Sequence, residues 1–155
     1  MNFIDALINL IKNPVIELSE EYVKSKNRAN SMGAALEEYI KDLFAGTINE
    51  LDENIRNEKL SKVFSYIGNQ NNPPDAILKL GDALEIKKIE SPNSSLALNS
   101  SYPKSKIYSK SNMITKACRE CEKEFVTKDS NTHTNGIWIE KDIIYSIGVV
   151  KDKKL

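Results

Sequence analysis

Apolar positions along the chain change their spacing several times, and each change predicts an element. Phe3, Ile4, Leu7, Ile8 and Ile11 recur at helical intervals and stop before Asn13-Pro14, which predicts a short amphipathic packing helix. A second helical region begins near Ser19, with a break around residues 27–31. Its later half carries one apolar stripe of Met32, Ala35, Leu36, Tyr39, Ile40, Leu43 and Phe44, with Gly46 as the stop. On a helical wheel Glu38 falls opposite that stripe and is expected in solvent. Glu37 falls at its margin, one turn after Gly33, which would allow a close approach. Residues 49–62 are charged and predict a further helix, and 63–67 a strand.

The breaker-rich run 68–74 (GNQNNPP) leads to two strand-like runs, 75–80 and 83–89, around a Gly81-Asp82 turn. Residues 91–112 are rich in Ser, Asn, Pro and Lys and lack a helical period. They predict a long loop of the kind usually kept for function. Residues 113–126 return to helical spacing. Residues 137–150 predict strand, divided around Lys141-Asp142. Helices, then a strand meander, then helix and strand give an α/β or α+β sheet with helices on its faces.

Composition narrows the class. The 155 residues fit one domain, 40% apolar residues suffice for a core, and the formal charge is zero. No basic leader precedes the first apolar run, and no apolar stretch reaches membrane-spanning length, so the chain reads as soluble and cytoplasmic. Cys118 and Cys121 lack the further ligands a zinc site needs and read as reduced thiols. His133 lies in the polar run SNTHTNG and reads as a solvated loop residue. Charge is unevenly distributed: residues 1–78 hold eight basic and twelve acidic side chains, whereas 86–119 hold seven basic and one acidic. A local field of that sign attracts phosphate whatever the net charge.

The chemistry concentrates in residues 73–88, PPDAILKLGDALEIKK. Strand alternation puts Glu85 and Lys87 on one face and Ile86 on the other. A hairpin through Gly81-Asp82 would carry Asp75 to the same patch. Two carboxylates and an ammonium on a sheet surface suit a divalent metal acting on a phosphodiester. A structural sheet avoids like charges side by side. The plain alternative is an exposed Glu-Lys strand pair with an unrelated loop aspartate.

These residues resemble the catalytic core of the PD-(D/E)XK nuclease superfamily. The ordered blocks NNPPDAILKLGDALEIKKIES, LALNSSYPKSKIYS, CRECE and KDIIYSIG resemble the NgoPII family of type II restriction endonucleases over residues 60–150, with weaker agreement before them. The resemblance implies a restriction-endonuclease-like mixed sheet flanked by helices. It implies Mg²⁺-dependent cleavage of double-stranded DNA at a short palindrome, by a homodimer, in a restriction-modification system. Asp75, Glu85 and the Ile86 carbonyl are then expected to hold the metal, Lys87 to act on the attacking water, and Glu37 to be the extra helix acid. Lys88, Lys104, Lys106 and Lys110, with Asn99, Ser100, Ser101 and Tyr102, are expected to contact DNA. Members of the family continue well beyond residue 155. The chain therefore reads as a single nuclease domain, with a helical N-terminal segment over residues 1–62 and a catalytic core over residues 63–150, lacking a C-terminal portion. Residues 129–138 read as an insertion. The rival readings are a repair or recombination nuclease on the same scaffold, a truncated DNA-binding domain that does not cut, and a dimerisation module built on the apolar N-terminal helices.

Overall fold

The computed structural model describes residues 3–14, 32–69, 71–95 and 104–149. Among them lie four helices, α1 (Phe3–Lys12), α2 (Met32–Ala45), α3 (Glu53–Val63) and α4 (Lys116–Arg119). Seven strands accompany them: β1 (Phe64–Tyr66), β2 (Ala76–Leu78), β3 (Ala83–Ile89), β4 (Lys106–Tyr108), β5 (His133–Thr134), β6 (Ile137–Trp138) and β7 (Glu140–Val149). Five strands form one sheet in the order β1-β2-β3-β7-β4, and β5 and β6 form a separate hairpin. This is the α+β class expected. The strands predicted at 63–67, 75–80 and 83–89 are β1, β2 and β3, with β1–β2 and β2–β3 antiparallel. No helix among the described residues is long and apolar enough to cross a membrane.

The chain divides into two units, one of Met1–Val63, Ile86–Ala97 and Ser146–Leu155, the other of Phe64–Glu85 and Leu98–Tyr145.

In the first unit the predicted stripe of α2 is buried through Ala35, Leu36, Tyr39, Leu43 and Phe44. α1 lies against α2. Asn9 Nδ2 donates to the Leu43 carbonyl at 2.7 Å, Tyr39 Oη donates to the Asn13 carbonyl at 3.1 Å, and the Phe3 and Phe44 rings meet at 6.4 Å. Gly46 ends α2 as expected. Its φ of 65° is left-handed, and the Thr47 N–H returns to the Asp42 carbonyl at 3.0 Å, which closes the last turn. α3 starts where Asp52 Oδ1 accepts the Asn54 and Ile55 N–H groups at 2.8 and 3.2 Å.

The expectation for Glu38 is wrong. It is buried, its Oε2 accepts from Arg56 Nη2 at 2.6 Å, and Lys41 lies 3.8 Å from its Oε1. Arg56 Nε also donates to Asp42 Oδ1 at 2.7 Å, and Thr47 Oγ1 donates to the same oxygen at 2.5 Å. α3 covers the face that the wheel assigns to solvent and brings its own counter-charge. Burial pulls the Arg56 pKa down, but the charges of Asp42 and Glu38 outweigh it and the net direction is up.

The second unit is built on Ile77, Ala83, Ile114, Cys118 and Trp138, with Tyr66, Ile107, Cys121 and Ile143 against them. The helix expected at 113–126 is shorter: α4 is one turn, capped by Thr115, and 120–125 are turns. The loop expected over 91–112 contains β4, paired antiparallel to β7 through Lys106↔Asp142, Ile107↔Lys141 and Tyr108↔Glu140. The strand break falls at Ile139, before β7, and not at Lys141-Asp142. Within residues 129–138, His133–Thr134 and Ile137–Trp138 form the β5–β6 hairpin, turned by Asn135 and Gly136 at φ 52° and 74°. This hairpin is joined to the core: Trp138 is completely buried, and its Nε1 donates to the Cys118 carbonyl at 2.8 Å.

His133 is likewise not solvated. It is buried, with Nε2 at 2.7 Å from Glu122 Oε2. Glu122 has no exposed surface and gathers three further donors. Lys141 Nζ lies at 3.0 Å, the Leu80 N–H at 2.8 Å and Ser65 Oγ at 3.2 Å. Lys141 also donates to the Gly81 carbonyl at 2.7 Å while reaching the second Glu122 oxygen at 3.1 Å. The cluster holds the β2–β3 turn, where Leu80 adopts a φ of 56°. One residue of a polar run, His133, becomes interior here because a buried carboxylate needs that partner.

Candidate active site

The β2–β3 hairpin positions the predicted carboxylates. Its register pairs Ala76 with Leu84 and Ile77 with Ala83, and the Asp75 N–H donates to the Leu84 carbonyl at 3.0 Å. That bond carries the ladder one residue beyond β2 and sets Asp75 beside the Leu84–Glu85 peptide. Asp75 is half-buried, while Glu85 is buried in β3 at 9% exposure. Glu85 borders a cavity of about 250 Å³ whose walls include Ile107, Met113, Ile143 and Tyr145 and whose polar lining includes Lys104 and Lys106. The structure thus brings one predicted metal ligand and two predicted DNA-binding lysines to one cavity.

β3 runs unbroken from Ala83 to Ile89, so Glu85 and Lys87 are two positions apart on one strand, with buried Ile86 between them. Lys87 is half-buried. Lys88 is exposed and sits 3.8 Å from Glu90. Glu37 is on α2 in the first unit, its side chain 38% exposed and 3.8 Å from Lys41. Lys104 is exposed, and its N–H donates to Tyr145 Oη at 3.1 Å. Lys106 is not a loop residue: it lies in β4, forms an ion pair with Glu140 and stands 3.9 Å from Asp142. The hydrogen bond to Glu140 pushes its pKa up. Lys110 is exposed. Asn99, Ser100, Ser101 and Tyr102 lie outside the described residues.

The two thiols are no part of this chemistry. Burial pushes Cys118 up to about 12 and raises Cys121 as well, so both stay protonated and unreactive at neutral pH.

One contact escapes any reading of the motif. Gly68 has a φ of 78°, and a side chain there would overlap the Asp75 carbonyl oxygen and lie 2.9 Å from its carbon. Gly68 is visible in the sequence only as one residue of a breaker-rich run.

The NgoPII restriction endonuclease family matches the chain over residues 1–155. The chain belongs to that family. It is 54% identical over 154 residues to the type II restriction enzyme NgoPII of Neisseria gonorrhoeae, covering 99% of this chain and 50% of that protein. It therefore spans about half the length of the curated relative it matches. No solved structure matches it. Membership of the family agrees with the resemblance carried by residues 60–150 and extends it to the N-terminal helices.

Proposed function

We propose that the chain is the catalytic portion of a type II restriction endonuclease, cutting double-stranded DNA at a short palindrome with Mg²⁺, as a homodimer, in a restriction-modification system. The observation that carries this reading is the family match over the whole chain, joined to a hairpin that sets Asp75 beside Glu85.

The donor chemistry fits magnesium. Asp75, Glu85 and the Ile86 carbonyl offer hard oxygen atoms, and Mg²⁺ takes one or two carboxylates and completes its shell with water and substrate phosphate. Among the described residues no group of three or more His, Cys, Asp or Glu is placed to hold a metal. A site of two protein carboxylates that leaves the remaining positions to phosphate and water agrees with that. When bound, the ion supplies Lewis-acid polarisation of the phosphate and a lowered pKa for the attacking water.

Each residue has a role in this reading. Asp75 and Glu85 fix the position of the scissile phosphate. Lys87 orients the water and offsets negative charge as it builds on the phosphorus oxygens. Glu37 serves as an additional acid from α2. Lys88, Lys104, Lys106 and Lys110, together with Asn99, Ser100, Ser101 and Tyr102, hold the phosphate backbone. For Lys106 this requires phosphate to take the place of Glu140.

The test is incubation of supercoiled plasmid with the chain, with Mg²⁺ or EDTA, beside Lys87→Ala. Discrete fragments that need both Mg²⁺ and Lys87 are expected. Cutting without fixed positions would indicate a structure- or lesion-directed nuclease. Salt-dependent binding with no cutting by the folded chain would leave a nuclease-like DNA-binding domain.

A further inference from the structure

We infer that Gly68 is a positioning residue for Asp75, its missing side chain letting the Asp75 backbone close onto the start of the β2–β3 ladder. The inference rests on the reading of Asp75 as a metal ligand.

Asp75 is held from two sides. On one, its N–H reaches the Leu84 carbonyl at 3.0 Å. On the other lies Gly68, where an added Cβ would overlap the Asp75 carbonyl oxygen and approach its carbon at 2.9 Å and its Cα at 3.2 Å. All three are backbone atoms, which cannot swing aside as the end of a side chain can. Gly68 also has a φ of 78°, a region that β-carbon sterics close to most residues.

The described residues between Gly68 and Asp75 are tied to their surroundings. Asn69 Oδ1 accepts the N–H groups of Asn71 and Asn72, both at 2.9 Å, and its Nδ2 donates to Tyr66 Oη at 2.9 Å. Asn72 Nδ2 ties the loop to the Met113 carbonyl at 3.2 Å. With the loop braced at both asparagines, a side chain at position 68 displaces Asp75 itself. A carboxylate moved by a fraction of an ångström loses its place in a metal shell of fixed geometry.

Gly136 provides a control for the left-handed φ, with a milder overlap. Its φ is 74°, and a Cβ there would lie 2.9 Å from Lys123 Cγ and 3.1 Å from Lys123 Cα, in the β5–β6 turn. The backbone penalty is alike, and Asp75 is not among the crowded atoms.

The experiment compares the wild-type chain with Asp75→Asn, Gly68→Ala, Gly68→Asn and Gly136→Ala. Mn²⁺ binding is measured by calorimetry, and the melting temperature is measured without metal. Asparagine tolerates the left-handed φ better than alanine, so Gly68→Asn keeps the overlap while easing the backbone penalty and preserving the fold. Every glycine variant is expected to melt a few degrees lower. Only the two Gly68 variants are expected to bind Mn²⁺ at least about tenfold more weakly, in the direction of Asp75→Asn. Gly68 variants that bind as wild type while Asp75→Asn does not, or Gly136→Ala weakening metal as much as they do, overturn the positioning role alone. No Mn²⁺ binding by the wild type, or full binding by Asp75→Asn, overturns the metal reading and the inference with it.

Discussion

Glu122 and Glu85 are two buried carboxylates of one unit, one enclosed and one at a cavity wall. Glu122 has no exposed surface and is enclosed by Lys141, His133, Ser65 and the Leu80 N–H. Glu85 borders a cavity of about 250 Å³ that Lys104 and Lys106 also line. A buried charge whose acceptor sites are taken up by protein donors works as a structural tie, since breaking it strands its partners. Glu85 instead stands at a cavity wall, where the proposed function places a metal. Burial alone does not tell the two apart; the cavity beside Glu85 does.

The contrast is sharpest when each acid is removed. Glu122→Ala leaves Lys141 and His133 buried without their acceptor and is expected to cost about 3–5 kcal/mol, read as a fall in the urea midpoint. A loss under about 1 kcal/mol, within the range of ordinary surface substitutions and weak pairs, would remove the distinction between the two acids.

A smaller effect comes from the thiol beside this cluster. Cys118 is neutral when protonated, and burial raises it from 9.0 to about 12 in the folded chain. The unfolded chain therefore gives up this proton first. Stability is fully present well below pH 9 and falls as pH rises through it, by about 1–2 kcal/mol at pH 10 for this group. Chemical unfolding at pH 8 and pH 10 measures it, and in Cys118→Ala that share of the alkaline decline is expected to vanish. An equal decline in the variant would assign it to other groups.

The same contrast explains what the sequence could and could not disclose. The helix α1 (though not the exposure of its apolar stripe), α2 with its stop at Gly46 and the β2–β3 hairpin follow from local signals: helical spacing, one left-handed glycine, and two strand-like runs around a turn. The placement of Asp75, Glu85 and Lys87 on one hairpin is legible for that reason. Glu38 and His133 are misplaced by local signals because their partners, Arg56 and Glu122, are 18 and 11 residues away. Periodicity sorts polar residues outward unless a distant counter-charge is known. β4 is hidden in a lysine-rich stretch because an edge strand of three residues has too few positions to show alternation. The β5–β6 hairpin does carry a signal, Asn135-Gly136, a favoured two-residue turn, but the polar residues around it obscure the strands.

The central claim is that Asp75 and Glu85 form a metal site and are not a second structural tie. Glu85→Gln keeps the shape of the side chain and removes its charge, so titrating Mn²⁺ into wild type and variant, with the urea midpoint of each, tests the claim directly. The account predicts at least about tenfold weaker metal binding with a midpoint unchanged or higher, because relieving a charged site commonly stabilises the fold. Unchanged metal binding with a large loss of stability would make Glu85 a structural acid like Glu122 and contradict it.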